Sequence, residues 1–482
     1  LDASRTFFNV AQSDRATLKI YRRFRCENSL TNNMFNKPSK YAIYTPAISQ
    51  EFAKLGYSQH LKRSFAFLET DLNFLDPKSG LFHYPYALYS AGQAAKSANS
   101  ALEDNIVKLR DRKATTVIGD SGGFQIQGNR IKFTGDPTCE RMLRWLETHS
   151  DYSMSLDFPT GGITPGNVAM HAERLIAEGH NLDAMRAENG LSLDFNACLK
   201  QSLLNLDYFV NNRRPGATKI LNVLQGRNEA ESKAWYEAVK GYGLEGWAFA
   251  GAHQNSFSLL LNRLHDMRND GLLQTAKWIH ILGISTPSIA YLFNALQRCV
   301  TEINPDLQIT FDTAGPFISA AKFQALMTHR LYKTGWTFST ISMPKEGSPE
   351  DTRTLNELAW EIAQRRPKAT RGSKTAQDEQ TFYAIPTSTM VGARVKVNEI
   401  CVGSSGSSDL DNDSIMILMN HNAEAYLRVF KQVNRIFDNP EEYETDIPVT
   451  LKGLRFAIED IWADPKSKTT QWQSFLDTLA AA

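Results

Sequence analysis

Apolar and β-branched residues come in short runs along the chain, each closed by a polar or glycine-rich turn. Eight runs stand in the first 335 residues: 41-YAIYTPA, 65-FAFLETD, 115-TTVIGDSGG, 152-YSMSLDFPTGG, 219-KILNVLQG, 246-GWAFAGAH, 279-IHILGIST and 308-QITFDTAGP. Between them apolar residues recur at helical spacing, as in 137-PTCERMLRWLETHS, 229-EAESKAWYEAVKGYG, 256-SFSLLLNRLHDMRND and 286-TPSIAYLFNALQRCV. Strands alternating with helices build βα units and a parallel sheet. Eight units over about 300 residues predict an α/β fold of the (β/α)8 TIM-barrel type. An open doubly wound sheet is the alternative.

The pattern divides the chain into three parts. Residues 1–40 form an N-terminal extension with a basic, aromatic stretch, 19-KIYRRFRCEN. Residues 41–335 form the barrel, with a long Tyr-, Phe- and Pro-rich connection over 71–95. Residues 336–482 form an α-rich C-terminal extension. Within it lies a basic insert, 365-RRPKATRGSK, holding five basic residues in ten and no acid. A polar loop, 403-GSSGSSDLDND, follows, and then a helical run, 414-SIMILMNHNAEAYLRVFKQVNRIF.

Composition changes this picture little. Apolar residues are 42% and charged residues 22%, ordinary for a globular protein. No run of 18 apolar residues exists, so neither a transmembrane span nor a membrane partner is expected. The first residues, LDASRTFFNVAQSDR, lack a basic segment followed by an apolar stretch, so no secretory signal is read there. Five scattered cysteines with no C-x-x-C pair exclude a disulfide framework or a cysteine-rich zinc module. A cytoplasmic setting is expected. The net charge is +1, so a nucleic-acid partner would have to be met by local positive charge.

In a parallel barrel the C-terminal strand ends share one face, where active sites lie. The third run ends in Asp120, Ser121, Gly122, Gly123, Phe124 and Gln125, and the fourth in Asp157. The fifth ends in Gln225 and Gly226, the sixth in Gly251, the seventh in Leu282 and Gly283, and the eighth in Asp312. Any single Asp can cap the helix that follows it. Three at one mouth, with a Gln and glycine turns, point to chemistry. Two carboxylates facing an anomeric carbon serve glycosyl transfer, one as nucleophile and one as acid/base. A third carboxylate and an amide can read a purine edge, since carboxylates accept from N–H groups and the amide donates to a carbonyl. Ser121, Gly122 and Gly123 would bring backbone close to a planar ring, and Phe124 offers a stacking face. No H-x-H pair ends the first strand, no strand ends in Lys, and G-x-G-x-x-G is absent. These absences disfavour metal-dependent amidohydrolase, Schiff-base and dinucleotide chemistry.

Six segments in order, 120-DSGGFQ, 157-D, 221-LNVLQG, 246-GWAFAG, 281-ILGISTP and 311-FDTAGP, resemble the queuine/archaeosine tRNA-guanine transglycosylase family, base-exchange enzymes on a (β/α)8 barrel. The resemblance implies Asp312 as nucleophile and Asp120 as general acid/base. It implies Asp157, Gln225 and Gly251 as contacts to the guanine edge, and Phe124 and Leu282 as faces above and below the ring. Two departures stand out. Ile318 or a neighbour replaces the Arg that ends the last motif in tRNA enzymes. The family's C-x-C-x-x-C zinc motif is reduced to 401-CVGSSG, with Gly403 and Gly406 at two cysteine positions and His421-Asn422 later. One Cys and one His do not complete a tetrahedral site, so no metal or other cofactor is expected and zinc is disfavoured.

The eroded zinc motif, the basic insert and the divergent N-terminus favour the family's DNA-guanine transglycosylase branch, which places 7-deazaguanines in DNA. The expected partners are therefore DNA, with tRNA as the alternative, and a free 7-deazaguanine of the preQ0 type. A homodimer or partner modification proteins are also admitted. Arg22, Arg23, Arg365, Arg366, Lys368 and Arg371 are the candidate phosphate contacts. A non-catalytic binding subunit and a retaining glycosidase of free sugars are the competing readings.

Overall fold

The structure, a computed structural model, describes residues 38–127, 130–160, 194–343, 350–364, 385–400 and 410–476. Eight strands form one parallel sheet: β1 (Ile43–Pro46), β2 (Tyr86–Ser90), β3 (Thr116–Asp120), β4 (Tyr152–Met154), β5 (Lys219–Leu224), β6 (Gly246–Phe249), β7 (Trp278–Ile281) and β8 (Gln308–Thr313). Their order is β1-β8-β7-β6-β5-β4-β3-β2. The two edges meet where Ala47 bridges Leu88 and the Ile48 N–H donates to the Leu88 carbonyl at 2.9 Å. The sheet is thus a nearly closed (β/α)8 barrel.

The helices of the barrel include α1 (Asp136–His149), α2 (Phe195–Asn212), α3 (Glu229–Val239), α4 (Phe257–Asn269), α5 (Pro287–Ile303) and α6 (Gly315–Ala321), of which α1, α3, α4 and α5 fall on the four segments named from apolar spacing. Asp194, Asn228, Ser256 and Thr286 cap α2 to α5, each side chain accepting a first-turn backbone N–H. Such caps contribute about 1 kcal/mol each. In α5, Ile289, Leu292, Phe293, Leu296 and Val300 are all buried, a stripe at 3.6-residue spacing facing the sheet. Inside the ring, Leu88, Ile118, Tyr152, Met154, Leu221, Val223, Ala248 and Trp278 pack as one cluster. Tyr152 stacks on Trp278 with centroids 4.4 Å apart. Both residues begin their strands, so the pair fills the N-terminal end of the barrel.

One strand differs from its expected place. The 65-FAFLETD run is not a strand. Phe65 and Phe67 stack on each other, Leu68 is 70% exposed, and Glu69–Leu72 form a 3-10 turn. The second barrel strand lies instead at Tyr86–Ser90, inside the segment expected to be a connection. Alternation decides this. Leu88 joins the interior cluster while Ala87 and Tyr89 join the outer core. The flanking Pro and Tyr residues disguise a short strand buried on both faces.

The C-terminal extension packs on the barrel, and residues 38–482 form one compact unit. The boundary expected at 335 falls within a hairpin of β9 (Ala325–Tyr332) and β10 (Gly335–Ser342), to which β11 (Ile385–Pro386) adds a third strand. The helices α7 (Leu355–Gln364), α8 (Asn412–Asp438), α9 (Val449–Ala463) and α10 (Pro465–Leu476) follow. The 27-residue α8 covers β1 and β8. Tyr426 stacks on Tyr44, and Phe430 meets both Tyr44 and Phe311. At the start of α8 the buried Asp413 carboxylate accepts the backbone N–H groups of Lys62 and Arg63 at 2.9 and 2.8 Å. Arg63 also donates to Asp411 at 2.8 Å. No helix among the described residues is long and apolar enough to cross a membrane.

Candidate active site

The C-terminal strand ends surround a cavity of about 660 Å³, whose lining includes Asp120, Asp157 and Asp312. That volume is in the usual range for small-molecule sites, about 300–1,000 Å³.

Asp312 sits near the end of β8 and is 7% exposed. Its Oδ1 accepts the Gly283 N–H at 2.8 Å and faces His280 Nε2 at 3.2 Å. Gly283 has φ +71°, a conformation costly for residues with a Cβ; the turn presents its N–H to the carboxylate. Oδ2 has no hydrogen-bond partner among the described residues, so one oxygen is anchored and the other is free.

Asp120 is held differently. The Ser90 hydroxyl donates to its Oδ2 at 2.5 Å, and the Gly122 N–H donates to Oδ1 at 3.2 Å. Burial pushes its carboxyl above the ordinary 3.8 and the charge of Asp312 adds to this, while the two hydrogen bonds pull the other way. Asp157 is raised to about 7, chiefly by burial and secondarily by the charge of Asp120. The Gln225 amide opposes this rise by donating to Asp157 Oδ2 at 2.7 Å. Gln225 Oε1 is buried with no hydrogen-bond partner among the described residues. A Cβ on Gly251 would come within 2.7 Å of that oxygen and 2.9 Å of the Gly226 carbonyl, at φ +62°. Gly251 is therefore what lets the β6 turn lie against Gln225.

Of the residues expected in the site, Asp120, Gly123, Phe124, Asp157, Gln225, Gly251, Leu282 and Asp312 all line the cavity. Phe124 is 66% exposed, an aromatic face open to a ring. A Cβ on Gly123 would lie 2.2 Å from the Asp157 carbonyl oxygen, so glycine there allows β3 and β4 to end side by side. Ser121 and Gly122, expected as contacts to a base, do not line the cavity. The buried Ser121 hydroxyl donates to the Ser155 carbonyl at 3.0 Å. Gly122, at φ +91°, packs on Gly92, whose Cα would lie 2.5 Å from an added Cβ. Their part is to shape the β3 turn. Arg22, Arg23, Arg365, Arg366, Lys368 and Arg371 lie outside the described residues.

Several neighbours of the site were not singled out from the sequence. Ser90 was hidden because its strand was placed elsewhere. Gln254, Asn255 and Ser256 line the cavity from a turn whose sequence carries no motif. Arg227 lines it too, with its guanidinium paired to Glu231. His280 reads as an ordinary member of an apolar strand, and only its place beside Asp312, 3.2 Å away, marks it.

Of the metal motif implied by the resemblance, only His421 and Asn422 lie among the described residues. His421 is fully buried, with Nδ1 3.2 Å from Asn422 Oδ1. Burial holds it down at about 4. Among the described residues no group of three or more His, Cys, Asp or Glu side chains is placed to hold a metal ion, and Cys401 lies outside them. Fold and mouth together define a (β/α)8 barrel with a three-carboxylate cleft at its C-terminal face. The chain matches no family model and no curated protein.

Proposed function

We propose that the chain is a base-exchange glycosyltransferase that replaces guanine in a polynucleotide, DNA above tRNA, with a 7-deazaguanine of the preQ0 type. The observation that carries this reading is the unequal treatment of two carboxylates at one mouth. Asp312 is anchored through one oxygen by the Gly283 N–H and faces the mouth with the other, the geometry a nucleophile requires. Asp120 is pushed toward its protonated form by burial, as a general acid requires. Asp157 and Gln225 lie in the same cavity, with an acceptor oxygen of Gln225 unpartnered among the described residues.

In this mechanism the target nucleotide is flipped into the mouth. Asp312 Oδ2 attacks C1′, the C1′–N9 bond breaks, and guanine leaves with a proton from Asp120. The sugar is then esterified to Asp312. A free 7-deazaguanine enters, the Asp120 carboxylate takes its N9 proton, and N9 attacks C1′ to release Asp312. Two inversions retain the β-anomer. Asp157 and Gln225 orient each base, and Phe124 and Leu282 contact its faces. The basic stretches around Arg22 and Arg23 and around Arg365, Arg366, Lys368 and Arg371 neutralise phosphates. The reaction belongs to the cytoplasm of a bacterial or phage-infected cell, with a homodimer or partner modification proteins as admissible assemblies.

The test is incubation with labelled guanine and either duplex DNA or tRNA. Label entering duplex DNA supports the reading. Label entering tRNA alone overturns the choice of polymer, and label entering neither overturns the activity.

A further inference from the structure

His280 is fully buried inside the barrel and does not line the cavity, yet both its ring nitrogens face groups of β8. The β7–β8 register sets His280 opposite Thr310. Asp312, two residues on, points to the same interior face. The result is a chain of contacts. The Trp278 indole N–H donates to Thr310 Oγ1 at 2.9 Å, that oxygen lies 2.8 Å from His280 Nδ1, and His280 Nε2 lies 3.2 Å from Asp312 Oδ1.

Donor counting fixes what this chain does. The indole can only donate, so Thr310 Oγ1 accepts from it and keeps its own hydrogen to give. Its receivers are His280 Nδ1 at 2.8 Å and the Ile279 carbonyl at 3.3 Å. Given to Nδ1, the shorter contact, that hydrogen places a ring proton on Nε2, aimed at the carboxylate. The Gly283 N–H supplies the second donor to the same oxygen.

We propose that His280 is a positioning residue for Asp312. Its Nε2–H, set by Thr310 and Trp278, joins the Gly283 N–H in holding Oδ1, so that Oδ2 faces the mouth and attacks. This rests on Asp312 being the nucleophile, as proposed above. A histidine that merely fills the core would affect stability and leave turnover alone. A positioning histidine affects turnover and leaves base affinity alone, because the base contacts lie on other strands.

The test uses the full chain and labelled guanine, with the polynucleotide that the unmutated protein labels. His280→Leu removes the donor. His280→Gln keeps an amide N–H near the position of Nε2. Thr310→Val leaves the ring free to choose its tautomer. His280→Leu lowers kcat about 100-fold with the KM for guanine within about threefold, the cost typical of a reacting group displaced by about 1 Å. His280→Gln recovers most of the loss and Thr310→Val falls between. Should His280→Leu fail to fold, the other two variants carry the comparison. The proposal is overturned if His280→Leu or Thr310→Val keeps full kcat and only its thermal midpoint falls, or if His280→Gln folds but is as slow as His280→Leu. No incorporation by the unmutated protein refutes the activity itself and this inference with it, a result distinguishable because it needs no variant.

Discussion

Replacing Asp157 with Asn should stabilise the protein at alkaline pH and not at acid pH. The Asp157 carboxyl rises from the ordinary 3.8 to about 7 in the folded chain, chiefly through burial. A group whose folded value lies above its unfolded value contributes stability below the unfolded value and loses it as pH rises through the folded one. The window is therefore about pH 4 to 7. The rise spans about three pH units at about 1.4 kcal/mol each, so the charged carboxylate costs the fold about 4 kcal/mol above pH 7. An asparagine carbonyl can still accept the Gln225 amide, so the neutral contact survives. With an unfolding entropy of about 2.1 cal/mol/K per residue over 482 residues, 4 kcal/mol corresponds to about 4 °C in Tm. Thermal unfolding of both proteins from pH 4 to 8.5 is the assay. The variant's advantage should grow from near zero at pH 4 to about 4 °C at pH 8. Parallel curves, or a gap opening toward acid, would refute the claim that burial of Asp157 stores this energy.

Asp312→Ala should abolish the covalent protein–polynucleotide adduct on a denaturing gel while free 7-deazaguanine still binds by calorimetry. An adduct that survives there and disappears in Asp157→Ala moves the nucleophile to another strand. Asp120→Asn should lower activity by about 10²–10⁴-fold, the usual contribution of a general acid/base, and should weaken base binding as well. Asn422→Ala removes the acceptor for Met327 N–H and the donor to the Pro316 and Ala325 carbonyls. At about 1–3 kcal/mol per orphaned buried group, it should cost about 3 kcal/mol or more in a melting experiment without altering KM. Reversing charge at Arg365, Arg366 and Lys368 should flatten the salt dependence of polynucleotide binding by about one slope unit per lost phosphate contact; an unchanged slope makes that segment a solvated loop.

The barrel was legible because buried parallel strands leave dense apolar runs and each following helix shows its 3.6-residue stripe. The run at 65–71 deceived because Phe65 and Phe67 satisfy each other in a loop, a pairing that alternation cannot distinguish from a sheet. The strand at Tyr86–Ser90 hid because proline and tyrosine around it read as a connection. That single misplacement also concealed Ser90, the donor to Asp120. The three aspartates could be found from the chain alone, since a carboxylate after a strand is a local signal. The roles of Ser121 and Gly122 could not, because facing the cavity or facing Ser155 and Gly92 depends on a turn's exact course. His280 escaped for a related reason: its partners belong to a neighbouring strand, and register is a property of the sheet.

The placement of α8 over β1 and β8 has a consequence for how the chain is made. The barrel's eighth strand is complete at Thr313, but the helix that shields it starts at Asn412. A ribosome adding about 5–20 residues per second needs several seconds or more to cover that interval. Until then Tyr44 and Phe311, which meet Tyr426 and Phe430 in the finished protein, lack their cover. The nascent barrel thus carries an aromatic face that only the synthesis of α8 can close, and chaperone demand should concentrate in that interval. A chain released early, with all eight strands present and α8 absent, should be captured by chaperones or aggregate.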